Sequence, residues 1–553
     1  MSPLLRDLVP ALLLVFVSTV FAAQPADTAS RVQAIVAEGR HPGLARPDFA
    51  PLDGDMRRFY EPAGYAPAWL LDGRPRSEAA EAIAVLRGAA RHGLTPGDYD
   101  VLWLESQLRI ATERGSPGGQ ELALFDTALS LGVFRYLSDL HTGRVNPGSI
   151  GFKVDIQPKK LDLPGLVRQG ISSGRLTQML AEAEPAYPMY GRLTAALERY
   201  RTLAAQDLPL PLPQPDAKKV EPGQPYAGAG ALRRLLVAYG DLPPDAAAGP
   251  EGLYDPALAQ AVKRFQARHG LEQDGVLGKS TLPAFNVPPA QRARQIELAL
   301  ERMRWLPEPS SGPAIGINIP EFRLWAFDQN AGHITALFRL DVVVGKALST
   351  RTPVFADRME YVVFSPYWNV PPGIARKEIV PALRKDPGYL SANDMELVAA
   401  ATGEPVNTEV SDATFDAIRQ GKLRIRQRPG PKNALGSVKF VFPNAEDVYL
   451  HDTPAKSLFQ RPRRDFSHGC IRVSDPMRLA RFVLRDMPEW SEERVAEAMR
   501  AGTEKHVRLK QPIPVVIFYT TVLVEEDGTT RFLPDIYGHD RTLDLAMQAL
   551  YGP

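Results

Sequence analysis

The chain has 553 residues, 44% hydrophobic and 23% charged, which supplies apolar material for several folded domains and excludes disorder throughout. Lys and Arg number 65 against 64 Asp and Glu, so no overall basic charge argues for nucleic acid as a partner. A single cysteine excludes an internal disulfide framework, and 51 prolines predict linkers and long loops.

Residues 1–22 read as a secretory signal peptide. Arg6 supplies a basic start, Leu8 to Phe21 is largely apolar, and Val20-Phe21-Ala22 puts small residues at positions −3 and −1 of a cleavage site. An uncleaved inner-membrane anchor fits the same segment, and either places the protein in the periplasm. Residues 30–207 read as a helical scaffold domain. Ser77 is placed to cap a helix carrying Ala79, Ile83, Leu86 and Ala90 and ending at Gly93. Leu122, Phe125, Leu129, Val133 and Tyr136 repeat at helical spacing, and Leu193 to Ala205 predicts another helix. Residues 208–227 begin with alternating prolines and predict a stiff, extended linker.

Residues 228–290 predict a small unit of three helices. Asp255 is a good N-cap with Pro256 in the first helical position, Leu258, Ala261, Val262 and Phe265 share a face, and Gly270 stops the helix. The stretch GLYDPALAQAVKRFQARHGLEQDGVLGKSTLPAFNV resembles the peptidoglycan-binding domain type, which implies glycan strands and their peptides as partners. Arg292 to Trp305 continues as a charged amphipathic helix.

From residue 312 the period changes to two. Ile315, Ile317 and Ile319 alternate, as do Leu324 with Ala326 and Phe338 with Leu340; Val362–Phe364, Val438–Phe442 and Val448–Leu450 follow. Val515 to Val524 and Thr530 to Leu533 flank Asp527-Gly528, a hairpin signal. Short helices are predicted at Pro476 to Asp486 and after Ser491. The whole, 312–540, reads as a β-rich, mixed α+β domain in a multidomain chain. An insertion at about 375–435 separates its middle strands, with Ser391 to Ala401 at helical spacing, and its length suits a lid.

Two segments carry chemistry: Tyr449-Leu450-His451 and Ser467-His468-Gly469-Cys470-Ile471-Arg472. His451 ends one probable strand, and the second segment leads into another. A thiol with a pKa near ~8.5 is mostly protonated at neutral pH, and a neighbouring imidazole can take its proton. Gly469 permits an unusual backbone where N–H groups could hold an oxyanion. Cys470, His451 and His468 could alternatively bind zinc with Asp452 or Asp465 as fourth ligand, or the thiol could be inert and buried.

His451…SHGCIR, with KNALGSVKFVFPN, YLHDTP and SPYWNVPPGI around it, resembles the L,D-transpeptidase (YkuD-type) catalytic domain in its large periplasmic branch. The resemblance implies Cys470 as the acylated nucleophile, His451 as its base, His468 supporting the nucleophile's loop, and Gly469 with adjacent N–H groups as oxyanion hole. It implies Arg472 ordering the loop or holding a carboxylate, with Ser467, Tyr449 and Trp368 as candidate substrate contacts. The implied substrate is a stem tetrapeptide ending in diaminopimelate and D-alanine. D-Alanine leaves and a diaminopimelate amine on another stem takes the acyl group; carbapenem-type inhibitors would acylate the same thiol, and no metal or cofactor is expected. An L,D-carboxypeptidase or endopeptidase would use the same pair, and a non-catalytic wall-binding scaffold is the remaining alternative. The segment 421–472 holds 11 Lys or Arg against 4 Asp or Glu, a net +7 that suits an anionic stem peptide or a solvated basic face.

Overall fold

The computed structural model of the protein describes residues 25–113, 118–154, 159–215, 217–330 and 333–550, so the leader-like segment lies outside the described residues. Among these residues no helix is long and apolar enough to cross a membrane. The chain divides into two compact units. One runs to Ala90 and takes in Thr95–Ser138 and Leu161–Ala183; the other holds Arg91–Leu94, Asp139–Lys160 and everything from Glu184.

The first unit is helical apart from a small hairpin of β1 (Leu70–Leu71) and β2 (Arg74–Pro75). The stripe Leu122, Phe125, Leu129, Val133 and Tyr136 lies on the helix Gly119–Thr142, each residue at most 3% exposed. Asp126 on that helix is buried and satisfied: Oδ2 accepts from Trp69 N–H at 2.7 Å, and Oδ1 from the Tyr60 hydroxyl at 2.7 Å. Ser77 does not cap its helix. It is the first residue of Ser77–Arg87, behind an extended Arg76, and its hydroxyl donates to Glu78 instead. A short 3-10 turn carries the chain on to Gly93, whose φ of +70° ends the run.

In the second unit, Asp255 caps the helix Pro256–Arg268 by accepting from Leu258 N–H at 3.0 Å. The helix Leu193–Ala205 of the sequence pattern is Pro188–Ala204 and belongs to this unit. The proline-rich run is anchored rather than free. Leu212 is 2% exposed and its N–H donates to Asn286, while the Tyr226 hydroxyl donates to the Pro213 carbonyl. The leucines between the prolines need burial, and the neighbouring helices supply it.

Nine strands build the main sheet: β3 (Gly312–Asn318), β4 (Arg323–Asn330), β5 (His333–Gly345), β6 (Phe355–Phe364), β10 (Val438–Val441), β11 (Leu450–His451), β12 (Asp465–Ser467), β13 (Ile471–Val473) and β14 (Lys505–Phe518). Their order is β12-β5-β13-β11-β10-β6-β14-β3-β4, and pairing of β4 with β5 brings the two edges together. One face is core: Val362, Phe364, Val438, Phe440, Leu450, Ile471 and Val473 are buried in a single cluster. The expected hairpin forms from β15 (Val522–Val524) and β16 (Thr530–Phe532), but the run from Val515 breaks after Phe518, so it makes a separate sheet. Phe532 at its end stacks on His269 and lies under the Arg292 guanidinium, tying the hairpin to the three-helix module.

Between β6 and β10 the insertion folds on its own sheet of β7 (Trp368–Asn369), β8 (Met395–Ala399) and β9 (Leu423–Gln427), in the order β7-β9-β8. The helix expected over Ser391 to Ala401 is instead a four-residue helical turn, Tyr389–Ala392, followed by β8. Met395 and Leu397 enter a private core with Val370, Ile379, Ile418 and Ile425, while Glu396 between them turns to Arg426. Period two thus wins over a helical spacing that rested on few residues.

One buried ion pair anchors the helix Pro289–Trp305. Arg304 and Glu301 are both 0% exposed and pair at 2.9 Å, and the Glu301 carboxylate also accepts from Arg144 and Val145 N–H. Glu301→Ala breaks this buried ion pair and should lower stability by ~3–5 kcal/mol, read as a lower urea midpoint by circular dichroism.

Candidate active site

Strands β10, β11 and β13 lie side by side, β10 antiparallel and β13 parallel to β11. The register sets Lys439 opposite His451 and His451 opposite Arg472. Side chains alternate across a strand. With Phe440, Leu450 and Ile471 committed to the core, Lys439, His451 and Arg472 share the opposite face, and Tyr449 and Cys470, each just before its strand, lie among them: the Tyr449 ring is beside His451 and the thiol acts on both Lys439 and Arg472. The 13 residues from Asp452 to Arg464 return the chain so that Cys470, in the bend just before β13, arrives beside the strand that carries the imidazole.

His451 is 5% exposed and its Nδ1 lies 2.5 Å from the Asp452 carbonyl oxygen. A carbonyl only accepts, so Nδ1 carries the proton and Nε2 keeps its lone pair. Burial, then the Arg472 and Lys439 cations, hold the His451 pKa down to about 3. The Asp452 carboxylate fixes that carbonyl from below: it accepts from Ser437 N–H and hydroxyl, Thr453 N–H and the Lys456 ammonium.

Cys470 is half-buried, and its thiol donates to the Asp447 carbonyl at 3.6 Å. Burial pushes its pKa up, partly offset by Tyr449. The resting pair is therefore a neutral thiol and a neutral imidazole. Gly469 has φ +122°, and a Cβ there would meet nothing within 4 Å. The glycine is required by conformation, and the space before it is open. Its own N–H donates to Ser467 Oγ at 3.2 Å, while the His468 and Cys470 N–H groups have no partner among the described residues. Thr352 donates to the Gly469 carbonyl and Thr350 to the Ser467 carbonyl, pinning the turn from the β5–β6 loop. Sequence patterns gave no sign of these threonines or of the Asp452 carbonyl.

The other expected site residues divide. Tyr449 lies at the site, its ring 5.8 Å from that of His451. Ser467 is 2% exposed and its hydroxyl donates to the Cys470 carbonyl at 2.6 Å. It shapes the turn from inside. Trp368 packs against the insertion's own core. His468 turns outward to Glu378 of the insertion at 2.6 Å, away from convergence with His451 and Cys470 on one ion. Among the described residues no group of three or more His, Cys, Asp or Glu is arranged to hold a metal.

Much of the local positive charge is already matched. Arg426 and Arg428 share Glu396, Lys456 holds Asp452, Arg463 holds Asp465 and Arg464 holds Asp341. Arg472 is half-buried with a buried Nε that no group among the described residues accepts from.

Residues 312–517 match the family model of the L,D-transpeptidase catalytic domain, residues 227–284 that of a peptidoglycan-binding domain, and residues 54–197 that of a scaffold domain. A curated Haemophilus influenzae protein named "Putative L,D-transpeptidase" is 29% identical over 269 residues, 48% of this chain and 52% of its own length. The chain thus spans about half the length of that relative. Among solved structures, Bdellovibrio bacteriovorus Bd1075 is 14% identical over 43% of this chain and 56% of its own, with a TM-score of 0.17. A fused Zn-dependent amidase/peptidase/peptidoglycan-binding protein from Clostridium acetobutylicum is 12% identical over 54% of this chain and 99% of its own, with a TM-score of 0.16.

The neutral resting pair has a kinetic signature. Alkylation of Cys470 by iodoacetamide should keep rising through and beyond about pH 8.5, where an ordinary thiol is half ionised. A plateau of high reactivity at neutral pH, the mark of a preformed thiolate–imidazolium pair, would contradict the geometry.

Proposed function

We propose that this chain, which carries an L,D-transpeptidase catalytic domain beside a peptidoglycan-binding domain, cross-links peptidoglycan by cysteine acyl transfer. The observation that carries the reading is that Cys470 immediately precedes β13, which pairs with the strand of a neutral His451 whose Nδ1–H is held by the Asp452 carbonyl. His451 Nε2 takes the thiol proton as Sγ attacks the diaminopimelate carbonyl of a stem tetrapeptide, forming the C–S bond. The Cys470 N–H faces the oxyanion. The intermediate collapses with cleavage of the C–N bond, and the imidazolium proton goes to the departing D-alanine amine. A diaminopimelate amine of a second stem then attacks the thioester, gives its proton to His451, and frees the thiol.

The three-helix module would hold glycan and peptide near the site without chemistry of its own. Domains directed at peptidoglycan suggest a location outside the cytoplasm, which we take to be the periplasm. The insertion serves as the lid, since Glu378 reaches the nucleophile's turn through His468. A closed lid would exclude water and favour an amine over hydrolysis.

Incubation with disaccharide tetrapeptides should yield cross-linked dimers by mass spectrometry, and a carbapenem should add its mass to the protein. Cys470→Ala should abolish both. His451→Ala should slow acylation by ~10²–10⁴-fold, the usual loss for a general base, whereas His468→Ala should cost much less. Tripeptide as the sole product would replace cross-linking with the carboxypeptidase reading.

Glu378→Gln weakens the tie between lid and turn. It should leave carbapenem acylation largely intact and move tetrapeptide products from dimer toward tripeptide. An unchanged dimer-to-tripeptide ratio would make the insertion a rigid decoration.

A further inference from the structure

Two cations on the reactive face stand apart from the paired ones. Lys439 and Arg472 flank His451 in one cross-strand row, one on β10 and one on β13. Both are half-buried. Neither forms an ion pair among the described residues, and the nearby carboxylates are engaged elsewhere. Asp452, one residue from His451, is held by Lys456 and Ser437, and Glu504, whose charge acts on Lys439 without forming an ion pair with it among the described residues, accepts from Tyr367 N–H and faces His506. Lys439 Nζ instead sits 5.7 Å from the centre of the Tyr449 ring.

Two partly desolvated positive charges beside a neutral base are costly to keep unless something negative joins them. They also cannot serve the imidazole itself, since like charge opposes its protonation. Resting on the transfer reaction above, we infer that Lys439 and Arg472 together bind the carboxylate of the donor's departing C-terminal residue. The geometry follows from the chemistry. His451 must deliver a proton to the leaving amine, and that residue's carboxylate hangs from the carbon next to the same nitrogen. It therefore lies within a few bonds of the imidazole, in the row the two cations occupy. A carboxylate there also offsets the two positive charges, which favours transfer of the thiol proton to His451 while the donor is bound. The pair selects a free acid at the donor's terminus and couples its binding to the base. Lys439 is a positioning and specificity residue that no sequence motif singled out.

The test compares two tetrapeptide donors, one with a free terminal carboxylate and one with that carboxylate amidated. The intact protein should prefer the acid in kcat/KM by ~10–100-fold, the range of a charge-assisted hydrogen bond. Lys439→Met should collapse that preference toward unity, mainly through KM for the acid, and Lys439→Arg should retain most of it. A preference that survives Lys439→Met unchanged overturns the inference, as does a wild type that takes acid and amide equally well. A wild type that transfers neither donor instead removes the transpeptidase reading beneath it. Because the readout is a ratio between two substrates, a variant that merely folds less well does not mimic the result.

Discussion

The arrangement rests on one packing constraint: the sheet buries Phe440, Leu450 and Ile471 on one side. In a pleated strand a residue's neighbours face the other way, and a slip of one position would exchange the two faces. Slipping β11 by one residue would send His451 into a hydrophobic core and expose Leu450. Every functional placement on that face is thereby fixed by the hydrophobic cost of the alternative. Three consecutive strands carry the same alternation, so the register of each supports the others. The proposed pair of Cys470 and His451 needs no special device to come near each other, only parallel neighbouring strands whose apolar residues agree about which side is inside.

The electrostatics of that face run against the first expectation for a cysteine enzyme. A basic neighbourhood ordinarily lowers a thiol's pKa. Here burial raises it, and the same cations hold the imidazole neutral. The two effects act together, because a buried imidazolium between Lys439 and Arg472 would be a third positive charge in one row. The site at rest is an uncharged thiol–imidazole pair, and charge appears only as the reaction develops it. Such a thiol is also less prone to oxidation, which depends on thiolate character. That suits the single free cysteine of a chain read as exported.

Much of this was legible in the sequence, and the parts that were not share a cause. The caps at Asp255 and Ser491 could be read because the capping residue, the following proline or acids, and the apolar stripe lie within one turn. The nucleophile's turn was legible because Ser467, Gly469 and Cys470 are contiguous and only glycine tolerates φ +122° comfortably. Ser77 misled because a serine before an apolar run reads as a cap whether or not its hydroxyl faces the turn. Residues 391–401 misled because three or four apolar residues match period 3.6 and period 2 almost equally, and the deciding contact, β9, comes more than twenty residues later. Lys439 and Glu378 were invisible for the same reason. A lysine in a strand has no meaning until one knows that His451 lies opposite, and Glu378 is 90 residues from His468. The +7 segment shows the converse error: charge counted along the chain took in cations whose partners lie outside the window or elsewhere within the fold.

The insertion's construction bears on how the site opens. It is a small body with its own core of Val370, Met395, Leu397, Ile418 and Ile425, so it can move without losing its internal packing. Its tie to the nucleophile's turn is the His468–Glu378 pair, whose side chains are 32% and 50% exposed. Exposed pairs of this kind contribute ~0–1 kcal/mol and are weakened by salt. On the proposed lid reading, a cover tied to the turn by such a pair would open at thermal cost and admit a bulky polymer, and would close reproducibly because the histidine is fixed beside Gly469. A stronger latch, buried and hydrophobic, would shut water out better at the cost of trapping the cross-linked product. The weak polar contact fits an enzyme whose two large substrates must enter and leave in turn.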